Sequence, residues 1–98
     1  MGRDDALIVS DAERIEKRDV DLARQLRRAA ASIALNTMEG GGQRAGNRRL
    51  RYESALGSLR EVTAVLDIAE ALRITTRRES VRTRIDKIGG TLFKLARR

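Results

Sequence analysis

The chain contains no cysteine, histidine, proline or tryptophan, and it has two aromatic residues, Tyr52 and Phe93. Without cysteine there is no disulfide and no thiolate chemistry. Without histidine the commonest general base and the commonest metal ligand are missing. We therefore expect no catalytic residues, no metal site, no cofactor and no enzyme. Two aromatic residues are also too few for the multi-ring platforms on which many proteins stack single-stranded nucleic acid.

Long apolar runs are missing as well. No stretch approaches the roughly 20 apolar residues of a membrane-spanning helix, and no signal peptide precedes the first charged residues. We expect a cytoplasmic protein with no membrane partner. At 98 residues the chain is expected to form a single domain over residues 1–98, with a modest core that gains from a partner.

Basic residues are in excess, and the excess lies in the last quarter of the chain. The formal net charge is +7; residues 73–98 hold nine basic residues against two acids, whereas residues 1–72 hold twelve of each. A basic segment favours polyanions such as nucleic acid, an acidic membrane surface or an acidic protein. The alternative is a solvated helix surface. The candidate nucleic-acid contacts are Arg77, Arg78, Arg82, Arg84, Lys87 and Lys94.

The composition that remains favours helices, because Ala, Leu, Arg and Glu dominate and β-branched alternation is rare. Periodicity and turn signals predict four helices, at about residues 5–17, 19–39, 45–72 and 76–96. Asp19 is the expected N-cap of the second helix, and a capping box from Thr76 to Glu79 opens the fourth. A capping box between Ser10 and Glu13 would start the first helix later. The connections are short, so the predicted fold is an all-α, antiparallel up-down four-helix bundle.

The second half of the second helix is apolar on nearly every side. A helix that is apolar all round is buried all round, and a 98-residue bundle cannot bury one of its own helices in this way. A second copy of the chain would cover it, so we expect a homo-oligomer. The interface is assigned to this half-helix and to one residue that falls off the apolar stripe of the fourth helix. These residues are Ala31, Ala34, Leu35, Met38 and Phe93.

Two polar residues, Asn36 and Glu39, interrupt this apolar half-helix. A buried polar group needs a partner, because an unsatisfied one costs about 1–3 kcal/mol. Candidate partners are backbone groups of the glycine turn at residues 40–42 and the side chains of Arg44 or Arg48. We interpret both residues as structural, docking the second helix on the third and on the next subunit. The alternative is a catalytic carboxylate–amide pair, which has no His, Cys or second carboxylate nearby in the sequence.

Glycines occur in three further places. The stretch GGGQRAGNRR, residues 40–49, resembles a phosphate-binding loop, but it lacks the spacing and lysine of a P-loop and follows no strand. A helix stop followed by a basic first turn is the favoured interpretation. Gly57 with Ser58 in the third helix, and Gly89 with Gly90 in the fourth, are expected to permit close helix crossing or, at the second pair, a slight kink.

The stretch QLRRAAASIALNTMEG, residues 25–40, resembles the signature of the 23S rRNA intervening-sequence family, usually called four-helix bundle proteins. The stretch GSLRE, residues 57–61, is similar to a second motif of that family. Thr37 and Met38 stand where the family usually has Ile-Ala. The resemblance is strongest over residues 22–72 and looser over the fourth helix.

This resemblance implies an antiparallel four-helix bundle assembled as a homopentamer, a barrel with a central channel. A related group, the accessory variability proteins of diversity-generating retroelements, consists of similar basic pentamers that bind a reverse transcriptase and nucleic acid. The first functional hypothesis is therefore a non-enzymatic homo-oligomer that binds RNA, DNA or a hybrid through phosphate contacts, as a partner of a reverse transcriptase. The second is a structural or protein-interaction scaffold whose charge only keeps it soluble. An enzyme ranks third.

Overall fold

The computed structural model of the chain consists of four α-helices, with no strand in the described residues. The structure describes residues 3–42, 45–76 and 79–97, with side chains from residue 10 onward except at residue 45. The helices are α1 Arg3–Glu16, α2 Val20–Gly41, α3 Ala45–Ala71 and α4 Glu79–Ala96. The molecule measures 42 × 24 × 22 Å. At a rise of about 1.5 Å per residue, α3 alone spans roughly the full long axis.

The predicted helices are confirmed, with one difference at the start of α1. This helix runs through Ser10 without a break, so the later start suggested by Ser10 and Glu13 is wrong. Asp19 is confirmed as the N-cap of α2, because its carboxylate accepts a hydrogen bond from the backbone N–H of Leu22 at 3.0 Å. The expected capping box before α4 includes residues 77–78, which lie outside the described residues.

A Schellman motif ends α3. The N–H of Ile74 donates to the carbonyl of Ala69, and the N–H of Arg73 donates to the carbonyl of Glu70, both at 2.9 Å. Arg73 adopts a φ of 58°, the left-handed conformation that glycine usually supplies at this position. Ile74 then packs against the core formed by the first three helices. The motif thus reverses the chain between α3 and α4.

Contacts between α2 and α3 have an antiparallel register. Residue numbers rise along α2 as those of their partners fall along α3: Ser32 contacts Ser58, and Glu39 contacts Arg51. α1 packs on α2, α4 packs on α3, and α1 also touches α4. Each helix therefore has its chain neighbours beside it, as in an up-down four-helix bundle.

The core has two parts that Ile33 joins. The first part combines residues of α1, α2 and α3: Ala12, Ile15, Leu22, Ala23, Leu26, Ala29, Val62, Val65 and Ala69. The second part lies between α3 and α4 and consists of Tyr52, Ala55, Leu92 and Ala96. Ile33 is half-buried and packs against both parts. The hydrophobic core is therefore continuous along the bundle, and we look for a functional site on its outer faces.

Candidate functional site

The basic residues predicted to bind nucleic acid do not form one patch. Lys87 and Lys94 lie two helical turns apart on the outward face of α4, are exposed, and have no ion pair with a described carboxylate. Arg84, one turn before Lys87, is also exposed. Arg77 and Arg78 lie outside the described residues. The described outward face of α4 is thus basic through Arg84, Lys87 and Lys94.

Arg82 is placed differently from the other basic residues of α4. It lines a pocket of about 130 Å³ between α1, α3 and α4. The carboxylates that line the same pocket are Asp11, Asp67, Glu70 and Asp86. Asp11 is 4% exposed, so one of these carboxyl groups is inside the bundle. Since these carboxylates repel a phosphate, Arg82 contributes less to a polyanion surface than Lys87 and Lys94.

The predicted interface residues lie on two separate surfaces. On α2, Leu35 and Met38 are 60% and 73% exposed, Ala31 is exposed, and Ala34 is half-buried. Phe93 lies instead in a groove between α3 and α4. The structure therefore brings the four α2 residues together and leaves Phe93 apart from them.

Further exposed apolar side chains lie on the outer side of α3. Leu50 is 62% exposed, Ile68 is 47% exposed, and Leu72, directly after α3, is 58% exposed. Leu50 and Ile68 are five helical turns apart and so share one face of α3. Both residues lie off the apolar stripe by which α3 faces the core. A second apolar side of α3 is visible in the sequence, and it was the signal that could have found this surface.

Asn36 takes part in a hydrogen-bond network that crosses from α2 to α3. Its Nδ2 donates to the carbonyl oxygen of Ser32 at 2.9 Å and lies 3.1 Å from Ser32 Oγ. The hydroxyls of Ser32 and Ser58 are hydrogen-bonded across the two helices at 2.7 Å. Neither hydroxyl has a carboxylate partner in the described residues, so no general base is placed to activate a serine there.

Glu39 is held by a residue of α3 that the sequence analysis did not name. Its Oε2 lies 3.0 Å from Nη1 of Arg51, and both side chains are about half exposed. The suggested pairing with Arg48 is not formed, and Arg44 lies outside the described residues. Glu39 thus contacts α3 directly from the apolar half of α2, whereas Asn36 is linked to α3 through Ser32.

Gly40 allows the end of α2 to approach a buried aromatic ring. A Cβ at Gly40 would lie 2.7 Å from Cε1 of Tyr52, which is 6% exposed. At Gly89 a Cβ would lie 3.3 Å from a leucine methyl of α3. At Gly57 and Gly90 it would meet no described atom within 4 Å, so the expectation of a close crossing is wrong for these two within one chain.

The groove between α3 and α4 contains arginines that were not among the predicted contacts. Its two adjoining sections have volumes of about 310 and 360 Å³ and share Leu56 and Arg60. Arg49 and Arg97 lie in the first section beside Phe93. Periodicity within one helix does not show that residues of α3 and α4 meet in this way, which is why the groove was missed.

In the described part of the chain, no helix is both long and apolar enough to cross a bilayer. Among the same described residues, no cluster of three or more carboxylates is arranged to hold a metal ion.

Comparison with known families gives a match over residues 7–94 to the family described as 23S rRNA-intervening sequence protein. The matched segment is nearly nine-tenths of the chain and contains both stretches on which the resemblance was based. No curated protein and no solved structure matches the chain.

Proposed function

The chain belongs to the 23S rRNA-intervening sequence protein family, and we propose that it acts without catalysis, as a basic homo-oligomer that binds nucleic acid through phosphate contacts. The observation that carries the proposal is the exposed positive charge of Lys87 and Lys94 on one face of α4, where neither has an ion pair with a described carboxylate. Two lysines on one helix face can contact successive phosphates of a backbone. Because phosphate contacts carry no sequence information, RNA, DNA and hybrids are all expected ligands.

The distribution of charge along the chain supports the same function. The excess of basic residues lies entirely in residues 73–98, so it is concentrated on and around α4. A pentamer of chains at +7 each would carry about +35 and repeat the α4 surface by symmetry. Such an assembly would attract a polyanion strongly at low salt and weakly at high salt.

Self-association is supported by the apolar face of α2 and α3. Leu35, Met38 and Leu50 are each more than half exposed in the single chain. Apolar patches of this kind on a water-soluble chain mark interaction surfaces. A second copy is the occupant that we propose, because the small side chains of Ala31 and Ala34 let a neighbouring helix approach closely. The resemblance to homopentamers supports five as the number of copies.

A reverse transcriptase is the protein partner that the proposal names. Its support is that residues 25–40 and 57–61 resemble the 23S rRNA intervening-sequence family, to which the accessory variability proteins of retroelements are a related group. A reverse transcriptase gene beside the gene for this chain, with template and variable repeats, would agree with this partner, and copurification from the native host would test it directly.

Fluorescence anisotropy tests the nucleic-acid contacts. Labelled single-stranded, duplex and hybrid oligonucleotides should all bind the wild-type chain at about 50 mM salt, with affinity falling steeply by about 200 mM. Lys87→Gln with Lys94→Gln should weaken binding to all of them and lower the salt slope by about two for each subunit that contacts the oligonucleotide, one per lost phosphate contact. The charge-matched control is Arg14→Gln with Lys17→Gln, two exposed residues at the end of α1 and just after it.

Two outcomes would contradict this assignment. No binding to any oligonucleotide at low salt would reject the nucleic-acid function and favour the protein-interaction scaffold. Equal losses in the α4 variant and the α1 control would show that net charge alone is responsible, and that the outward face of α4 is not the site.

A further inference from the structure

Phe93 lies in the section of the α3–α4 groove that is next to the C-terminal end of α4. The residues that line this section include Arg49, Glu53, Leu56, Arg60, Phe93 and Arg97. Its volume of about 310 Å³ lies at the lower end of the roughly 300–1,000 Å³ that small-ligand sites occupy. The section is therefore large enough for one planar group with its attached substituents.

Phe93 is the aromatic ring that this bundle leaves accessible. It is 49% exposed, whereas Tyr52, the other aromatic residue of the chain, is 6% exposed. The guanidinium carbon of Arg97 lies 4.1 Å from the centroid of the Phe93 ring. Ring and guanidinium thus form a stacked planar pair, and both kinds of group stack nucleobases in proteins that bind single strands.

The charges around this planar pair favour an anion. Arg49 is neutralised by Glu53, with Nε and Oε1 3.0 Å apart. Arg60 on the α3 side and Arg97 on the α4 side have no ion pair with a described carboxylate. Two uncompensated guanidinium groups therefore lie on opposite walls of the groove, beside the ring.

We propose that this groove binds one unpaired nucleotide of a single-stranded nucleic acid, with its base stacked on Phe93 and Arg97. The phosphates that flank the base contact Arg60 and Arg97. A paired base has no free face, because it is stacked inside the duplex, so the groove selects single strands. The proposal rests on the proposed function and adds to it a strand preference that phosphate contacts on α4 do not supply.

A second copy of the chain is the competing occupant, since Phe93 was first assigned to the oligomer interface. The structure separates Phe93 from the exposed apolar residues of α2, and beside it lie Arg60 and Arg97, which have no ion pair with a described carboxylate. Guanidinium groups whose charge no described carboxylate neutralises fit a phosphate better than they fit the apolar face of α2. Charge complementarity thus favours the nucleotide.

The test compares Phe93→Ala and Phe93→Trp in anisotropy titrations with single-stranded and duplex oligonucleotides of equal length. Phe93→Ala should weaken single-strand binding roughly tenfold, which lies within the measured range for loss of one stacked base, and leave duplex binding unchanged. Phe93→Trp should bind single strands at least as tightly as the wild type. The control is Val20→Ala, another exposed apolar residue, at the start of α2.

Phe93→Trp also supplies a direct signal, because the chain has no tryptophan of its own. Stacking of a base on this side chain should quench its fluorescence when single strands are added, and duplexes should not. Arg60→Gln should weaken single-strand binding, whereas Arg49→Gln combined with Glu53→Gln, which removes an ion pair and leaves the net charge of the groove unchanged, should have little effect.

Unchanged single-strand affinity in Phe93→Ala, or no quenching in Phe93→Trp, would overturn the assignment of the groove as a nucleotide site. Salt-dependent binding by the wild type would still support the proposed function in that case. Dissociation of the assembly by Phe93→Ala would place Phe93 in the oligomer interface and also overturn the assignment of the groove. Absence of any binding by the wild type at low salt would be the different result that rejects the proposed function itself.

Discussion

After Val20 at its start, the first half of α2, residues 20–30, buries its larger apolar side chains within one chain, whereas the second half, residues 31–41, points Leu35 and Met38 outward. Leu22 and Leu26 are at most 8% exposed, but Leu35 and Met38 are 60% and 73% exposed. The same helix therefore contains one segment whose leucines are buried in the monomer and one whose outward apolar side chains lack a partner surface. Helix propensity does not distinguish the two halves, since both form regular α-helix.

The two halves of α2 also differ in where their polar side chains point. In the first half, Arg24 and Arg27 face solvent and pair with carboxylates at the surface. In the second half, the hydroxyl of Ser32 is hydrogen-bonded to Ser58 of α3, and Asn36 donates to Ser32 within α2. The second half thus uses polar groups to dock on α3 and leaves apolar groups for a further contact. Four predictions test this contrast.

The largest effect is expected from Leu35→Glu combined with Met38→Glu. If the outward face of the second half is covered by another copy, both carboxylates become buried without a partner, at a cost of several kcal/mol each. The assembly should dissociate to a monomer of 10.9 kDa. Light scattering at micromolar concentration measures this directly.

Ser80→Glu is the matched control for this double change, because it adds a carboxylate at an exposed position in the first turn of α4. It should leave the assembly intact. A wild-type chain that is monomeric at micromolar concentration, or a double variant that still assembles, would contradict the assigned interface.

Gly40→Ala should cost about 1–3 kcal/mol of unfolding free energy, because the added methyl would overlap the buried ring of Tyr52. Gly41→Ala is the neighbouring control: its Cβ would meet nothing within 4 Å among the described residues, so it should be neutral or slightly stabilising. Urea denaturation compares the two variants. Equal stabilities would show that the end of α2 does not depend on close contact with α3. In a Tyr52→Leu background the penalty of Gly40→Ala should shrink.

The sequence predicts the helices well, because their ends are set by local chemistry. Asp19 caps α2 through a backbone group three residues away, and the same helix ends within the glycines that follow Glu39, at Gly41 with Gly42 as its C-cap. The resemblance identified the family that the comparison assigns to the chain. Local chemistry and recognisable motifs are therefore sufficient to predict most of the fold.

Contacts between helices were predicted less well, because they depend on register and on the angle at which each residue leaves its helix. Arg51 takes the pairing with Glu39 that was expected from Arg44 or Arg48. Arg82 meets carboxylates that come from α1 and α3 as well as from its own helix. Such neighbours are far apart in the sequence, and nothing within one helix indicates them.

Glu39→Gln is expected to have a smaller effect, of about 0–1 kcal/mol, because the ion pair with Arg51 is half exposed to solvent. The amide keeps the shape of the side chain and part of its hydrogen bonding, so docking of α2 on α3 should persist. Arg51→Gln should have a similar effect, and the double variant should cost less than the sum of the two. Loss of assembly from Glu39→Gln alone would show that this pair is completed by the next subunit.

The smallest effect is expected from the ion pair that holds the first half of α2 to α1. Glu16 Oε2 accepts a hydrogen bond from Arg27 Nη2 at 2.8 Å, and this bond, with the charge of Arg27, lowers the pKa of the Glu16 carboxyl. A carboxyl whose pKa is lower in the folded chain stabilises the fold above its unfolded pKa, and this contribution is lost as the pH falls through its folded pKa. The unfolding free energy of wild type minus that of Arg27→Gln should therefore be largest near neutral pH and shrink in acid, as the pH falls through the lowered pKa of Glu16 and its carboxylate becomes protonated. Added salt should shrink it too, since both side chains are nearly half exposed.

Urea titrations at one fixed protein concentration measure the difference, with Arg28→Gln, one position along and also exposed, as the control. A difference that stays constant from neutral to acid pH would show that Arg27 acts through packing of its aliphatic stem and not through the carboxylate.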